Sequence, residues 1–274
     1  MTIFQSIVLG IVQGLTEFLP ISSSGHLVIV PYLLNWNIPP AQAFVFDVLV
    51  QVATLIALFA YFWMDLVEIV KGVVKGLVTK KPFESINARL GWLLILASVP
   101  AGILGLFLKD AVEKAFSNAF TTALFLFGTA LLLVIAELVG KRNRELKEIT
   151  WIDAIWIGVF QAISIFPGIS RSGSTITGGM TRNFDRPASA RFAFLMSIPI
   201  MIAAGLLATI DLIKLPNLAT MLPVFIPGFI VAAITGYLAI RWLLRYLVQH
   251  TLYDFAIYCV VVGIITMVVF YIRL

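Results

Sequence analysis

Charge is what this sequence has least of. Asp, Glu, Lys and Arg together make up 12% of its 274 residues, against about 25% in a typical soluble domain, and its mean hydropathy is +1.03. So few charges cannot cover a water-exposed surface, which excludes an ordinary soluble globular protein. Cysteine is nearly absent too. Cys259 is the single one, so no intrachain disulfide can form, and its place in the last apolar run reads as a small core hydrophobe. The opening stretch MTIFQSIV lacks the basic segment and small-residue cleavage site of a secretory leader, so no cleaved leader is expected. Histidine occurs only at His26 and His250, the latter expected in a solvated turn.

Long apolar sequence is what abounds. Six runs, roughly 42–63, 86–108, 118–139, 188–210, 222–247 and 252–273, each approach the ~20 residues that span a bilayer. Two further segments, 2–34 and 151–181, are apolar but interrupted in the middle by Pro, Gly and Ser. Each should give two short helices joined by irregular backbone, which membranes tolerate only when it is buried in protein or lines a cavity. The expected fold is an all-α polytopic membrane protein with six transmembrane helices and two re-entrant helix hairpins, in a single membrane domain covering 1–274. The stretch DLVEIVKGVVKGLVTKK (65–81) reads as an amphipathic helix lying in the interface.

The basic residues set an orientation. Lys71, Lys75, Lys80, Lys81 and Arg89 fall in one loop, and Lys141, Arg142, Arg144 and Lys147 in the next but one. Arg182, Arg186 and Arg191 precede the fourth span, and Arg241 and Arg245 end the fifth. Those fourteen share one side, while Lys109, Lys114, Lys214 and Arg273 lie on the other and Arg171 sits inside a turn. The excess marks the cytoplasmic side and puts both termini outside the cytoplasm. It also accounts for the net charge of +5, so no nucleic-acid partner is expected. Glu137 and Asp254, near span ends on the basic side, are expected to be solvated or snorkelling.

A self-comparison adds a repeat. GIVQGLTEFLPISSSGHLVI (10–29) aligns without gaps on GVFQAISIFPGISRSGSTIT (158–177). The identities are Gly10/Gly158, Gln13/Gln161, Phe18/Phe166, Ile21/Ile169, Ser22/Ser170, Ser24/Ser172 and Gly25/Gly173, and the same register pairs Phe44 with Phe192 and Phe46 with Phe194. Half-repeat 1 (about 1–140) and half-repeat 2 (about 151–274) each hold one hairpin and three spans, an odd number, so the second should be inverted. Inverted repeats with broken helices bring their polar turns together near the membrane centre.

After each turn a short helix should begin, near His26 and near Ser174. Helix N-termini offer free N–H donors and a partial positive charge. Gly25 and Gly173 permit close backbone approach, and Ser22, Ser24, Ser170, Ser172, Ser174 and Thr175 add hydroxyl donors. With Arg171 between them, the turns suit a multiply charged oxyanion, since a lone buried guanidinium is costly without an anionic partner. Taken singly, the serines can equally be helix caps. The repeats differ where Glu17 faces Ile165, Ser23 faces Arg171 and His26 faces Ser174. The asymmetry adds an acid, a basic anchor and a histidine, the groups phosphoryl chemistry needs, and a serine near His26 can be the nucleophile with His26 moving protons. Glu17 can bind a hard cation or orient His26, and His26 can also be a hydrogen-bonded structural histidine. Gln13 and Glu17 share one helix face, as do Asp47 and Gln51. Asp47 reads either as functional or as a partner for polar backbone of the broken hairpin.

QGLTEFLPISSSGH (13–26) and FPGISRSGSTITGG (166–179) resemble the two signature segments of the bacterial undecaprenyl-diphosphatases, also called bacitracin-resistance phosphatases. The likeness covers the whole chain. It implies hydrolysis of undecaprenyl diphosphate to the monophosphate and phosphate in the cell membrane, recycling the lipid carrier of cell-wall synthesis, and the split of basic residues puts the opening of the first hairpin, and with it the site, on the extracytoplasmic side. It further implies a divalent cation, magnesium or calcium, held at Glu17, with Glu17, Ser23, His26 and Arg171 as catalytic residues. Gln13 departs from the Glu common at that position. The partners implied are undecaprenyl diphosphate and membrane lipid, and the assembly considered is a homodimer. The rival is a transporter or lipid flippase, whose architecture the inverted repeat also fits. It has little use for the asymmetry of Glu17, Ser23 and His26, and an ion channel is disfavoured for want of a charged ring.

Overall fold

A computed structural model describes residues 1–108, 118–213 and 218–274. Lys109, Lys114 and Lys214, counted above on the sparsely charged side, lie outside the described residues. Among the described residues there are eleven α-helices and no strand. They are α1 (Ile3–Phe18), α2 (Ser23–Leu33), α3 (Pro40–Tyr61), α4 (Trp63–Val78), α5 (Ile86–Phe107), α6 (Ala119–Val139), α7 (Trp151–Ile163), α8 (Arg171–Thr181), α9 (Arg186–Ile213), α10 (Leu218–Gln249) and α11 (Tyr253–Ile272). Six of them, α3, α5, α6, α9, α10 and α11, are long and apolar enough to cross a membrane. Each interrupted segment forms two short helices, α1 with α2 and α7 with α8. The stretch at 65–81 largely forms α4, which packs on α5.

Local chemistry sets the helix starts. Thr2 with Gln5 and Thr150 with Asp153 form capping boxes at α1 and α7. The Ser22 and Ser170 hydroxyls accept from the N–H groups of Gly25 and Gly173, so α2 and α8 begin at Ser23 and Arg171. Both starts lie three residues before those expected at His26 and Ser174, because the first serine of each cluster is the cap and the helix follows at once.

Packing is interleaved. Helix α1 runs along α10, and α7 runs along α5. A Cβ at Gly10 would lie 2.3 Å from the Gly228 carbonyl oxygen of α10, and one at Gly158 would lie 2.5 Å from the Ala97 carbonyl oxygen of α5. Only glycine allows such backbone approach. Phe46, Phe192 and Phe194 are fully buried, but Phe44 is exposed although its counterpart Phe192 is not. Cys259 is buried and free, as a small core residue should be.

The two ends of the bundle differ. At one, Arg89 donates to the Lys147 carbonyl, Arg144 to the Arg182 carbonyl and Arg191 to Asp65. Glu137 lies at this end and is buried rather than solvated, accepting from Arg142, Arg186 and the Leu252 N–H. Removed from water, its charge needs those donors. Asp254 bonds the Tyr246 hydroxyl in an exposed position, and His250 is exposed as expected. Buried Asp153 accepts from Arg144 at 2.7 Å and from Arg182 at 2.7 Å. Burial alone would raise its carboxyl, but Arg144, Arg182 and Thr150 outweigh it and hold the group well below the usual carboxylate range. At the opposite end Met1 bonds Gln42, Phe4 packs on Trp36 and Arg273 donates to the Tyr32 carbonyl. Both termini are therefore at the end away from the basic cluster.

Candidate active site

The two broken segments meet through their turns. Ser22 has a positive φ of 74°, a strained conformation for a residue other than glycine. Its hydroxyl accepts from the Gly25 N–H of its own helix at 3.3 Å and from the Gly168 N–H of the other turn at 3.1 Å. Ser172 donates in the reverse direction, to the Leu19 carbonyl at 3.0 Å. Gly168, at φ 102°, occupies a conformation that side chains rarely adopt. Thr129 of α6 fixes the second turn, donating to the Gly168 carbonyl at 2.7 Å and accepting from the Ser170 N–H at 2.8 Å.

With Ser22 and Ser170 capping, Ser23 and Arg171 become the first residues of α2 and α8. The positions that differ between the repeats thus stand at both helix N-termini. The Ser23 hydroxyl donates to Glu17 Oε2 at 2.5 Å, the length of a charge-assisted bond. Gln13 Nε2 donates to the same oxygen at 2.9 Å, and Arg171 donates to Glu17 Oε1 at 2.5 Å. Arg171 is therefore not a lone cation. Glu17 is its partner, and Met201 sulfur lies 3.2 Å from the guanidinium.

These groups open onto a cavity of about 370 Å³. Its polar floor is Glu17, Ser22, Ser23, Ser24, Ser170 and Arg171, with Gln51 of α3 and Gln161 of α7 at the sides. Ala101 and Gly105 of α5, with Ile200, Met201 and Ala204 of α9, make an apolar wall. A second cavity of similar size, at the basic end, is lined by Asp65, Glu68, Arg89 and Arg191. Its charges already answer one another, as Arg191 does Asp65, so the first is the better candidate.

The other expected residues are near but not in the lining. Gly25 packs against Gly168, Gly173 lies by Ser170 and Pro20, and the Thr175 hydroxyl folds back onto the Arg171 carbonyl. Ser172 is spent on Leu19, and Ser174 is buried with no partner for its hydroxyl among the described residues. Asp47 lies one helical turn from Gln51 and does not line the cavity. His26 does not line it either. Its Nδ1 lies 2.7 Å from the Ser22 carbonyl oxygen and its Nε2 2.9 Å from the Tyr258 hydroxyl of α11, and no hydrogen bond joins it to Ser23 among the described residues. A carbonyl only accepts, so Nδ1 carries a proton, and in the neutral ring Nε2 accepts from the Tyr258 hydroxyl. Sequence reasoning missed Thr129, Tyr258 and Met201, which reach the site from distant spans with no local signal. It noted Gln161 only as a repeat identity, although the match with Gln13 was the available clue.

Fold and site together define a multi-pass membrane protein with a cavity suited to an anionic group carried on an apolar tail. Comparison with known sequences narrows this. The chain matches the family described as "Bacitracin resistance protein BacA" across residues 6–265 and belongs to that family. It is 41% identical to the undecaprenyl-diphosphatase of Thermomicrobium roseum, with 98% of each chain covered. It is 43% identical to that of Chlorobium phaeovibrioides, covering 97% of this chain and 96% of the relative. With that of Methanosphaera stadtmanae it shares 38%, covering 97% of each.

Proposed function

We infer that this chain is a membrane phosphatase that hydrolyses undecaprenyl diphosphate to undecaprenyl phosphate and inorganic phosphate, returning the lipid carrier to use. The observation that carries the reading is the line Arg171–Glu17–Ser23, an arginine and a hydroxyl at two helix N-termini joined by hydrogen bonds through a carboxylate at the end of α1. The diphosphate occupies the polar floor and the first isoprenoid units lie along the apolar wall.

Ser23 attacks the terminal phosphorus as Glu17 takes its proton. The bond from phosphorus to the bridging oxygen breaks, releasing undecaprenyl phosphate, and water then hydrolyses the phosphoserine to phosphate and free serine. Arg171 exchanges Glu17 for phosphate oxygens and, with the N–H groups of both helices, stabilises the charge of phosphoryl transfer. His26 holds the carbonyl of strained Ser22 and so aims the next residue, Ser23.

A divalent cation, magnesium or calcium, suits the donors present. Glu17 is one carboxylate, Gln13 Oε1 is a buried carbonyl with no partner among the described residues, and diphosphate oxygens and water complete such a set. Its chemistry is to neutralise phosphate charge.

The broken segments are re-entrant hairpins of an inverted repeat. At ~1.5 Å per residue, α1 and α2 are each shorter than the ~30 Å hydrocarbon core. In support, α1 pairs with α10 as α7 pairs with α5, and Gly25 meets Gly168 as Gly173 faces Pro20, the position equivalent to Gly168. The basic end faces the cytoplasm and the cavity opens to the other side.

The test is release of inorganic phosphate from undecaprenyl diphosphate by purified protein in detergent. Turnover that depends on a divalent cation is expected. Substrate binding with no phosphate released would instead favour a lipid transporter.

A further inference from the structure

One buried polar side chain in the cavity has no hydrogen-bond partner among the described residues. Gln161, near the end of α7, is 2% exposed and lines the cavity, yet neither its Nε2 nor its Oε1 meets a hydrogen-bond partner among the described residues. Its backbone is fixed, since the carbonyl accepts from the Ser164 N–H at 3.1 Å and the Ser164 hydroxyl at 2.7 Å. The repeat explains how it came to be unpaired. Gln13, its counterpart, donates to Glu17 four residues on, whereas the residue four beyond Gln161 is Ile165. The second repeat keeps the amide and lacks the carboxylate that would engage it.

A buried amide without a partner costs roughly 1–3 kcal/mol, so leucine would suit the empty protein better. The cost is recovered when a ligand supplies the missing partners. The groups beside Gln161 in the lining are Ser164, Ser170 and Arg171, all able to donate, which makes an oxyanion the matching ligand. Unlike a second arginine, a neutral amide can donate to that ligand without competing for Glu17.

We propose that Gln161 binds the diphosphate headgroup, its Nε2 donating to a phosphate oxygen and its Oε1 accepting from a phosphate P–OH or water. This rests on the phosphatase reading above and adds a binding contact to it from the second repeat.

The test uses the full chain purified in detergent, with inorganic pyrophosphate as headgroup probe and undecaprenyl diphosphate as substrate. In Gln161→Leu, the Kd for pyrophosphate and the KM for substrate should rise about tenfold, the scale of one lost hydrogen bond to a charged group. The Tm without ligand should stay level or rise, because the unpartnered amide is gone. In Gln161→Glu, turnover relative to wild type should be low at neutral pH and recover as the pH falls and the introduced acid becomes neutral, a rescue that packing alone does not give. A wild-type pyrophosphate Kd in Gln161→Leu, or a lower Tm with unchanged Kd, overturns the proposal. The two readings fail separately. Wild-type protein that neither binds pyrophosphate nor releases phosphate removes the phosphatase reading and this contact with it, whereas active wild type with an indifferent Gln161→Leu removes this contact alone.

Discussion

Ser22 and Ser23 are neighbours in sequence and opposites in what they hold. The Ser22 hydroxyl accepts from two backbone N–H groups, one in each turn, so its loss leaves buried donors without partners. The Ser23 hydroxyl bonds only Glu17 among the described residues, and it lines the cavity. Ser22→Ala should therefore lower stability, by about 1–3 kcal/mol for the orphaned donors. Ser23→Ala should keep a near-normal Tm and pyrophosphate affinity while abolishing turnover. Phosphate release measured beside thermal melting separates the two, and full turnover in Ser23→Ala would assign the attack to water. Arg171 poses a different question, because its guanidinium already pairs with Glu17 and must also meet phosphate. Lysine keeps the charge but loses the planar fork. Arg171→Lys should lower kcat by ~10²–10³-fold, the usual cost of losing one transition-state contact. Near-normal turnover in that variant would reduce the residue to a source of positive potential.

At the scale of elements, breaks and spans were legible because they follow from composition: Pro, Gly and Ser stop helices, and apolar runs of sufficient length make them. The cap positions were legible only as a choice, since the repeat shares Ser24 with Ser172 as well as Ser22 with Ser170, and the starts expected near His26 and Ser174 fall three residues late. The direction of His26 was not. Its ring turns to Tyr258, which is 232 residues away in sequence and reached only once α2 and α11 are side by side. Glu137 was misread for the same reason, because its partners Arg186 and the Leu252 N–H come from other elements. Asp153 joins the start of α7, the 144 loop and the end of α8, and it makes a prediction about pH. Its carboxyl is depressed below the ordinary 3.8. A depressed carboxyl contributes stability that is fully present above its unfolded value and lost as the pH falls toward the folded one. Thermal melting should show no loss from this source between about pH 7 and 5, then a fall below about pH 4. Asp153→Asn should lower the Tm at neutral pH and flatten that acid limb. An equally steep acid limb in the variant would place the sensitivity elsewhere.

For the whole molecule, the order of the helices places both termini and the 32–42 segment at one end, and the 80–89, 141–149 and 182–191 segments at the other. The bundle alone does not distinguish inside from outside, and the proposed orientation rests on the fourteen-to-four division of basic residues in the sequence. Lys and Arg cross a membrane least readily, so the proposed orientation keeps the rich end cytoplasmic. The cavity chemistry agrees with neither side in particular, which makes orientation a separate question from catalysis. Single cysteines introduced in a Cys259→Ser background can answer it, since Cys259 is fully buried and a serine there is out of reach of any reagent. Asn37 and Lys147 are exposed at opposite ends, so cysteines at these positions should fold and be accessible from one side each. In intact cells a membrane-impermeant thiol reagent should label Asn37→Cys and spare Lys147→Cys, and opening the cells should make the second reactive. Labelling of Lys147→Cys with protection of Asn37→Cys would invert the assignment. It would also place the phosphate-releasing site on the cytoplasmic face, leaving the excess of basic residues at the other end without its usual cause.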